Sequence, residues 1–174
     1  MTSRLAIVFV FVSLASCKPT TTQPVEIRHY TSSDSLRLVV KSNLTVTKEN
    51  DWTEYAYREL TMDDSVYNYL IKQKRQKPLS LKYSDLDIPL IEEKEIEIEG
   101  KKFLIGKYQF DDPDSYDEEE SIYFIENYGA ILISGDAWGL YAVFDRGGVI
   151  EKKIIEFIQK DTSGFYGVPE PPKK

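Results

Sequence analysis

The sequence predicts an α+β domain: a mainly antiparallel β-sheet of about six or seven strands with two helices, the C-terminal one packed on the sheet. Three observations predict it. Aromatic residues are plentiful, with 12 Tyr, 8 Phe and 2 Trp among 174 residues, and together with β-branched residues they favour strands. Apolar side chains alternate with period two in several runs broken by Gly, Asn and Asp, the mark of half-buried strands joined by turns. The two runs with helical spacing do not alternate with strands in the rhythm that a parallel sheet requires.

The chain opens with Arg4 and an apolar run from Leu5 to Ala15 interrupted only by Ser13, and reaches its single cysteine in Leu14-Ala15-Ser16-Cys17. A positive start, a short apolar stretch and small residues before a cut make a secretory signal peptide. Eleven residues at about 1.5 Å each reach only ~16 Å, so the run is too short to cross a hydrocarbon core roughly 30 Å thick. Leu14 to Cys17 closely resemble the lipobox of bacterial lipoproteins, an aliphatic residue and two small ones before the modified cysteine. The resemblance implies cleavage between Ser16 and Cys17, diacylglycerol on the Cys17 sulfur, and a fatty acid such as palmitate on the new amino terminus. Two or three acyl chains make that membrane anchor effectively permanent. Lys18, standing where an aspartate would retain the protein in an inner membrane, implies an outer-membrane place in the cell envelope, facing the periplasm. Lys18 to Pro24 hold no large apolar side chain. The expected organisation is therefore a cleaved signal over 1–16, lipidated Cys17 and a flexible tether over 17–34, one domain over 35–160 and a disordered tail over 161–174. About sixteen tether residues would reach ~20–25 Å.

Leu36, Leu38, Val40, Leu44 and Val46 share one parity, which predicts a single long strand with one wet face. Glu49-Asn50-Asp51 turns the chain into a second strand, Trp52 to Thr61, with Tyr55 and Tyr57 on one face. Asp63, Asp64 and Ser65 offer N-caps, and Val66, Tyr69, Leu70 and Gln73 follow at helical spacing until Lys77-Pro78, so a helix is expected here. A short apolar run, Leu79 to Tyr83, precedes a segment interrupted by Pro89. Glu95 to Ile105 reads as a hairpin turning at Gly100-Lys101, with Ile98 opposite Phe103 and Ile96 opposite Ile105. Beyond Gly106 the apolar parity shifts to Tyr108 and Phe110, which suggests a bulge at the glycine. Ser121 to Asn127 and Ala130 to Ser134 are apolar on both parities, as strands covered on both faces are. Ala137 to Phe144 gives another strand, and Ile150, Ile154, Phe157 and Ile158 give an amphipathic helix.

Removing residues 1–16 takes away Arg4 and no acid, which leaves 21 Lys and Arg against 29 Asp and Glu, a balance of −8. Such a chain lacks the clustered basic charge that nucleic acid requires. With the one cysteine given to lipid, no disulfide and no zinc site can form. His29, the only histidine, falls in the expected tether, where no rigid neighbours could position it as a general base. No nucleophile elbow or phosphate loop is visible, and no cofactor is implied. Asp111 to Glu120 hold seven carboxylates but miss the calcium-loop pattern at Tyr116 and Asp117. Lys72, Lys74, Arg75 and Lys77 would sit at the end of the expected helix, where cations are favourable; the alternative is contact with a small anionic headgroup. Trp52, Tyr55, Tyr57, Trp138 and Tyr141 are candidates for an aromatic surface that meets a sugar or a protein, with core packing as the plainer account. Ser35 and Ser65, each between an aspartate and an aliphatic residue, resemble sites that some bacteria O-glycosylate on exported proteins. The sequence thus reads as a non-catalytic, membrane-anchored envelope protein that binds a protein partner. A carbohydrate-binding or carbohydrate-cleaving lipoprotein is the alternative.

Overall fold

The computed structural model describes residues 19–31, 35–60, 66–75, 79–111, 119–135, 139–161 and 163–166. Their elements are β1 (Thr20–Thr31), β2 (Leu36–Glu49), β3 (Trp52–Leu60), β4 (Val66–Lys74), β5 (Ser80–Tyr83), β6 (Leu86–Ile88), β7 (Leu90–Ile98), β8 (Lys101–Phe110), β9 (Glu120–Ile125), β10 (Gly129–Gly135), β11 (Leu140–Asp145) and α1 (Val149–Gln159). All the strands form one antiparallel sheet in the order β6-β5-β4-β3-β2-β1-β11-β10-β9-β8-β7. Its two edge strands are consecutive in sequence and separated only by Pro89, and Gln109 N–H donates to the Pro89 carbonyl at 3.1 Å. The sheet is thereby curled into a nearly closed barrel, a fold that almost abolishes open edges.

The α+β expectation is therefore overturned: the chain is nearly all antiparallel strand, with eleven strands and a single helix among the described residues. The helix expected after Asp63 is strand β4. Tyr69, Ile71 and Gln73 point inward and are buried, while Leu70, Lys72 and Lys74 alternate with them; the whole strand pairs with β3 from Trp52↔Lys74 to Leu60↔Val66. Spacings of three and four residues coexist with period two in so short a run, and the open edge of β3 decides between them.

The expected tether differs as well. From Thr20 onward it is β1, hydrogen-bonded between β2 and β11 in the middle of the sheet, with Val25, Ile27 and Tyr30 buried. The expected tail holds Phe165 and Tyr166, both buried; residues 167–174 lie outside the described residues.

Two local expectations change register. The hairpin turns at Glu99-Gly100, both at positive φ (53° and 74°), so Ile98 faces Lys101 and Ile96 faces Phe103. A slip of two residues keeps every side chain on its face, so apolar pattern alone cannot exclude it. Gly106 carries no bulge; the irregularity lies on β7 between Leu90 and Glu92. A Cβ on Gly106 would stand 2.6 Å from the Tyr108 ring, so the glycine makes room for that ring. Parity shifts there because β8 is covered on both faces, with Ile105 packed outside and Tyr108 and Phe110 inside.

The interior is aromatic. Tyr55 meets Phe124 edge-on at 5.4 Å, Tyr57 meets Phe144 at 4.5 Å, Tyr69 meets Phe144 at 5.4 Å and Tyr83 meets Phe110 at 4.9 Å, each pair joining β3–β5 to β8–β11. On the outer face Ile154 and Ile155 of α1, with Phe165 and Tyr166, cover Tyr123, Ile125, Ile131 and Val143.

Polar groups set into this interior are bonded there, the Tyr57 hydroxyl most fully. The Tyr57 hydroxyl accepts from Ala130 N–H at 2.9 Å and lies 3.3 Å from both the Ala130 carbonyl and Arg146 Nη2. Gly129 runs at φ +106°, and a Cβ there would meet that hydroxyl at 2.6 Å. Tyr57→Phe leaves the Ala130 N–H buried without its partner, and the expected cost is about 1–3 kcal/mol, read as a lower urea midpoint with an unchanged slope.

Candidate functional site

The chain enters the barrel at one rim, where Lys48 N–H donates to the Pro19 carbonyl at 3.1 Å and Thr20 pairs with Thr47. The same rim holds the turn at Asn50 (φ 48°), Trp52 paired with Glu49 and with Lys74, and Arg75 N–H donating to the Asp51 carbonyl at 2.7 Å. Because Thr53, Tyr55 and Tyr57 point inward, strand geometry sends Trp52 and Glu54 to the outer wall. Lys74 and Lys82 each place Nζ 5.9 Å from the centre of the half-buried Trp52 ring. Lys72 bonds Asp85 at 2.5 Å and stands 4.0 Å from Glu54; the first bond holds the Asp85 carboxyl below its usual range. Trp52, Glu54, Lys72, Lys82 and Asp85, with Glu49 and Asn50, bound an open cleft of about 550 Å³. An indole face between alkyl-ammonium chains, ringed by carboxylates, can stack an apolar ring face and hydrogen-bond hydroxyls around it.

The opposite end of the barrel differs. Leu36, Leu38 and Val39 on β2 and Leu140 on β11 are exposed at 52, 41, 42 and 38%. These strand ends flank β1, with Leu36 opposite Tyr30 and Leu140 opposite Thr31. His29, assigned to a tether from sequence, belongs to β1 opposite Leu38 and Ala142 and lines a hollow of about 170 Å³ here with Tyr69 and Glu120. Strand β1, paired on both sides at His29, holds the imidazole among rigid neighbours where a tether would not.

Of the five aromatic candidates the structure does not make one surface. Tyr55 and Tyr57 are buried inside the barrel. Tyr141 is buried on the outer wall, stacked on Tyr30 at 5.0 Å, and lines the hollow beside His29, whereas Trp52 borders the open cleft at the other end. Trp138, Ser16, Cys17 and Ser65 lie outside the described residues. Ser35 is exposed, and its carbonyl accepts from Thr31 N–H at 3.0 Å. Of the basic cluster, Lys72 and Lys74 lie on β4 and Arg75 follows it, so no helix dipole accounts for these three; Lys77 lies outside the described residues. Missed from sequence were the exposed β2 leucines, whose parity reads as core.

The buried charges are structural. Arg28 bonds Glu26 and the buried Asp145 at 2.9 Å each, and Arg146 donates to the Tyr128 carbonyl while lying over the Tyr128 ring at 4.1 Å. Burial pushes the Tyr55 and Tyr108 phenols up to about 12, so neither is a ready base at neutral pH. Among the described residues no group of three or more His, Cys, Asp or Glu is placed to hold a metal ion. Compared with protein-family models and with curated proteins, the sequence matches nothing.

Asp161 fixes the C-terminal segment. It accepts from Lys94 Nζ and Ser163 Oγ at 2.7 Å each and from the Tyr166 N–H at 3.4 Å. Burial alone would raise its carboxyl, but those donors outweigh burial and bring it to about 2. A depressed acid stabilises the fold above its unfolded value near 3.8, and that contribution fades as the pH falls through the folded value. Asp161→Asn is expected to lower stability at neutral pH and to flatten its decline between about pH 4 and pH 2, measured by chemical denaturation across that window.

Proposed function

We propose that this protein is a lipid-anchored, non-catalytic component of a bacterial envelope, held by acyl chains on Cys17 and presenting its barrel to a protein partner. The observation that carries the partner is the exposed set Leu36, Leu38, Val39 and Leu140. It lies at the far end of β1 and β2 from Pro19, about ten residues or ~33 Å along the strand, and so faces away from the anchor. Leu36, Leu38 and Leu140 stand on the parity that turns inward farther along β2 and β11, so at this end of the wall side chains of core type meet solvent, as at an interaction site. Membrane attachment by lipid brings the protein to its partner in two dimensions, and a packed barrel holds the patch rigidly.

A second reading is a carbohydrate-binding protein that uses the Trp52 cleft, favoured by the indole bordered by Glu49, Glu54 and Asp85. Titration with cell-wall and plant glycans is then expected to shift tryptophan emission, with loss of the response in Trp52→Ala; an emission that stays constant for every glycan rules this reading out.

The anchor is tested by Cys17→Ala, expected to abolish fatty-acid labelling and to release or stall the protein; continued labelling would sink it. For the partner, a photo-crosslinking side chain at position 38 or 39 is expected to give a discrete adduct in cells, and one at Lys101 none. No adduct from the aliphatic end removes the proposed surface.

A further inference from the structure

The stretch between the lipidated cysteine and the fold is too short to act as a tether. Pro19 is already bound to Lys48, and β1 begins at Thr20, so two residue steps separate Cys17 from the barrel. Fully extended they span only about 7 Å. On the proposed anchor, the rim carrying Pro19, Lys48, Trp52, Lys74 and Arg75 is thus brought to within a headgroup's thickness of the acyl chains.

The chemistry of that rim suits the position. Tryptophan concentrates at the membrane interface because its ring is apolar and its N–H remains wet. Lysines beside it can lay their methylenes along the interface and carry ammonium groups to lipid phosphates. Trp52 flanked by Lys74 and Lys82, with Lys48 and Arg75 on neighbouring strand ends, is such a group; Glu49, Glu54 and Asp85 stand beside it, a mixed set that suits zwitterionic headgroups, in a chain whose balance without residues 1–16 is −8. The opposite end of β1 and β2 carries the exposed Leu36 and Leu38 and, among the described residues, has no comparable group of cations about an indole.

We infer that the barrel is seated directly on the lipid headgroup layer by this rim, with Trp52 in the interface, rather than held clear of it on a flexible leader. The inference rests on the Cys17 anchor. Seating fixes the barrel's orientation and points the Leu36–Val39 end away from the membrane surface, so a partner approaching from that side meets it without a search over orientations.

The test uses the full lipidated chain carrying Trp138→Phe, which leaves Trp52 as the sole tryptophan, reconstituted into phosphatidylcholine vesicles with phosphatidylglycerol as the minor component. Lipids spin-labelled near the headgroup are expected to quench most of the Trp52 emission, with a blue shift relative to the unanchored protein. A flexible Gly-Ser insertion of about ten residues between Lys18 and Pro19, adding a reach of roughly 17 Å, is expected to restore the emission while the protein still floats with the vesicles. Protein that floats but remains unquenched overturns the seating and leaves the anchor standing; so does emission that responds to glycans and not to labelled lipid. Protein that neither floats nor takes up fatty acid overturns the anchor itself. Quenching that survives the insertion overturns the assignment of the contact to the short leader.

Discussion

The barrel depends on covering its own inner face, and the tightest expression of that constraint is the Tyr57 hydroxyl on Ala130. β3 and β10 are not neighbours in the sheet, yet a side chain from one closes the backbone hydrogen bonds of the other across the interior. The interior rings and this bond tie the two walls at that point. The surroundings comply with it: Gly129 takes a positive φ and presents no Cβ to the hydroxyl, and Arg146 reaches the same oxygen from the start of the α1 connection. Gln73 does comparable service higher in the barrel, its Oε1 accepting from the Tyr55 hydroxyl and from Asn127 N–H, which fastens the β9–β10 turn over the end of the interior. A chain without a disulfide obtains its cross-links from buried phenols and amides.

The wall is not uniform. From β8 through β11 the strands are packed inside against the rings and outside under α1 and the Phe165-Tyr166 turn, whereas β2 to β5 have a solvated outer wall with alternating charges such as Glu54, Lys72 and Lys82. The lysine and glutamate content of the two regions follows from this difference rather than from chemistry at a site. The β7 edge, left unpaired where the chain departs from β5, carries Glu92, Glu93, Glu95 and Glu97, charges that discourage a second strand from adding there.

What the sequence revealed depended on how many faces a strand buries. β2, β3 and the β7–β8 hairpin were legible as alternating runs, and Tyr123 to Ile125 and Ile131 to Ile133 stood out as apolar on both parities. β4 was not, because Tyr69 and Ile71 alternate over a span in which helical spacing fits as well, and only the edge of β3 breaks the tie. β1 was not, because Thr, Gln and Pro fill its exposed first half, and its place between two strands rests on backbone bonds that composition does not record. The aromatic candidates failed as a set for a related reason: parity joins Tyr55 to Tyr57 and separates both from Trp52, but which parity faces inward is settled by closure of the whole sheet. The exposed leucines of β2 share a parity with the buried Leu44, and only the end of the barrel wall distinguishes them.

The position of β1 ties folding to the two ends of the barrel. β2 can pair with β1 as soon as both exist, but β11 pairs Asp145 with Glu26, a contact that closes only when nearly the whole chain is present, and such non-local pairing is slow. Until then the β1 edge and the inner rings are open to water. A strand clamped on both sides from Glu26 to Tyr30 cannot be peeled away from an edge; a pull on its start at Pro19 loads the β1–β2 ladder along its length, where many hydrogen bonds share the load. An edge strand entering from the same side would yield one bond at a time. For a chain held at that end, as the proposed anchor on Cys17 would hold it, a central first strand is therefore the arrangement that keeps the fold intact under load.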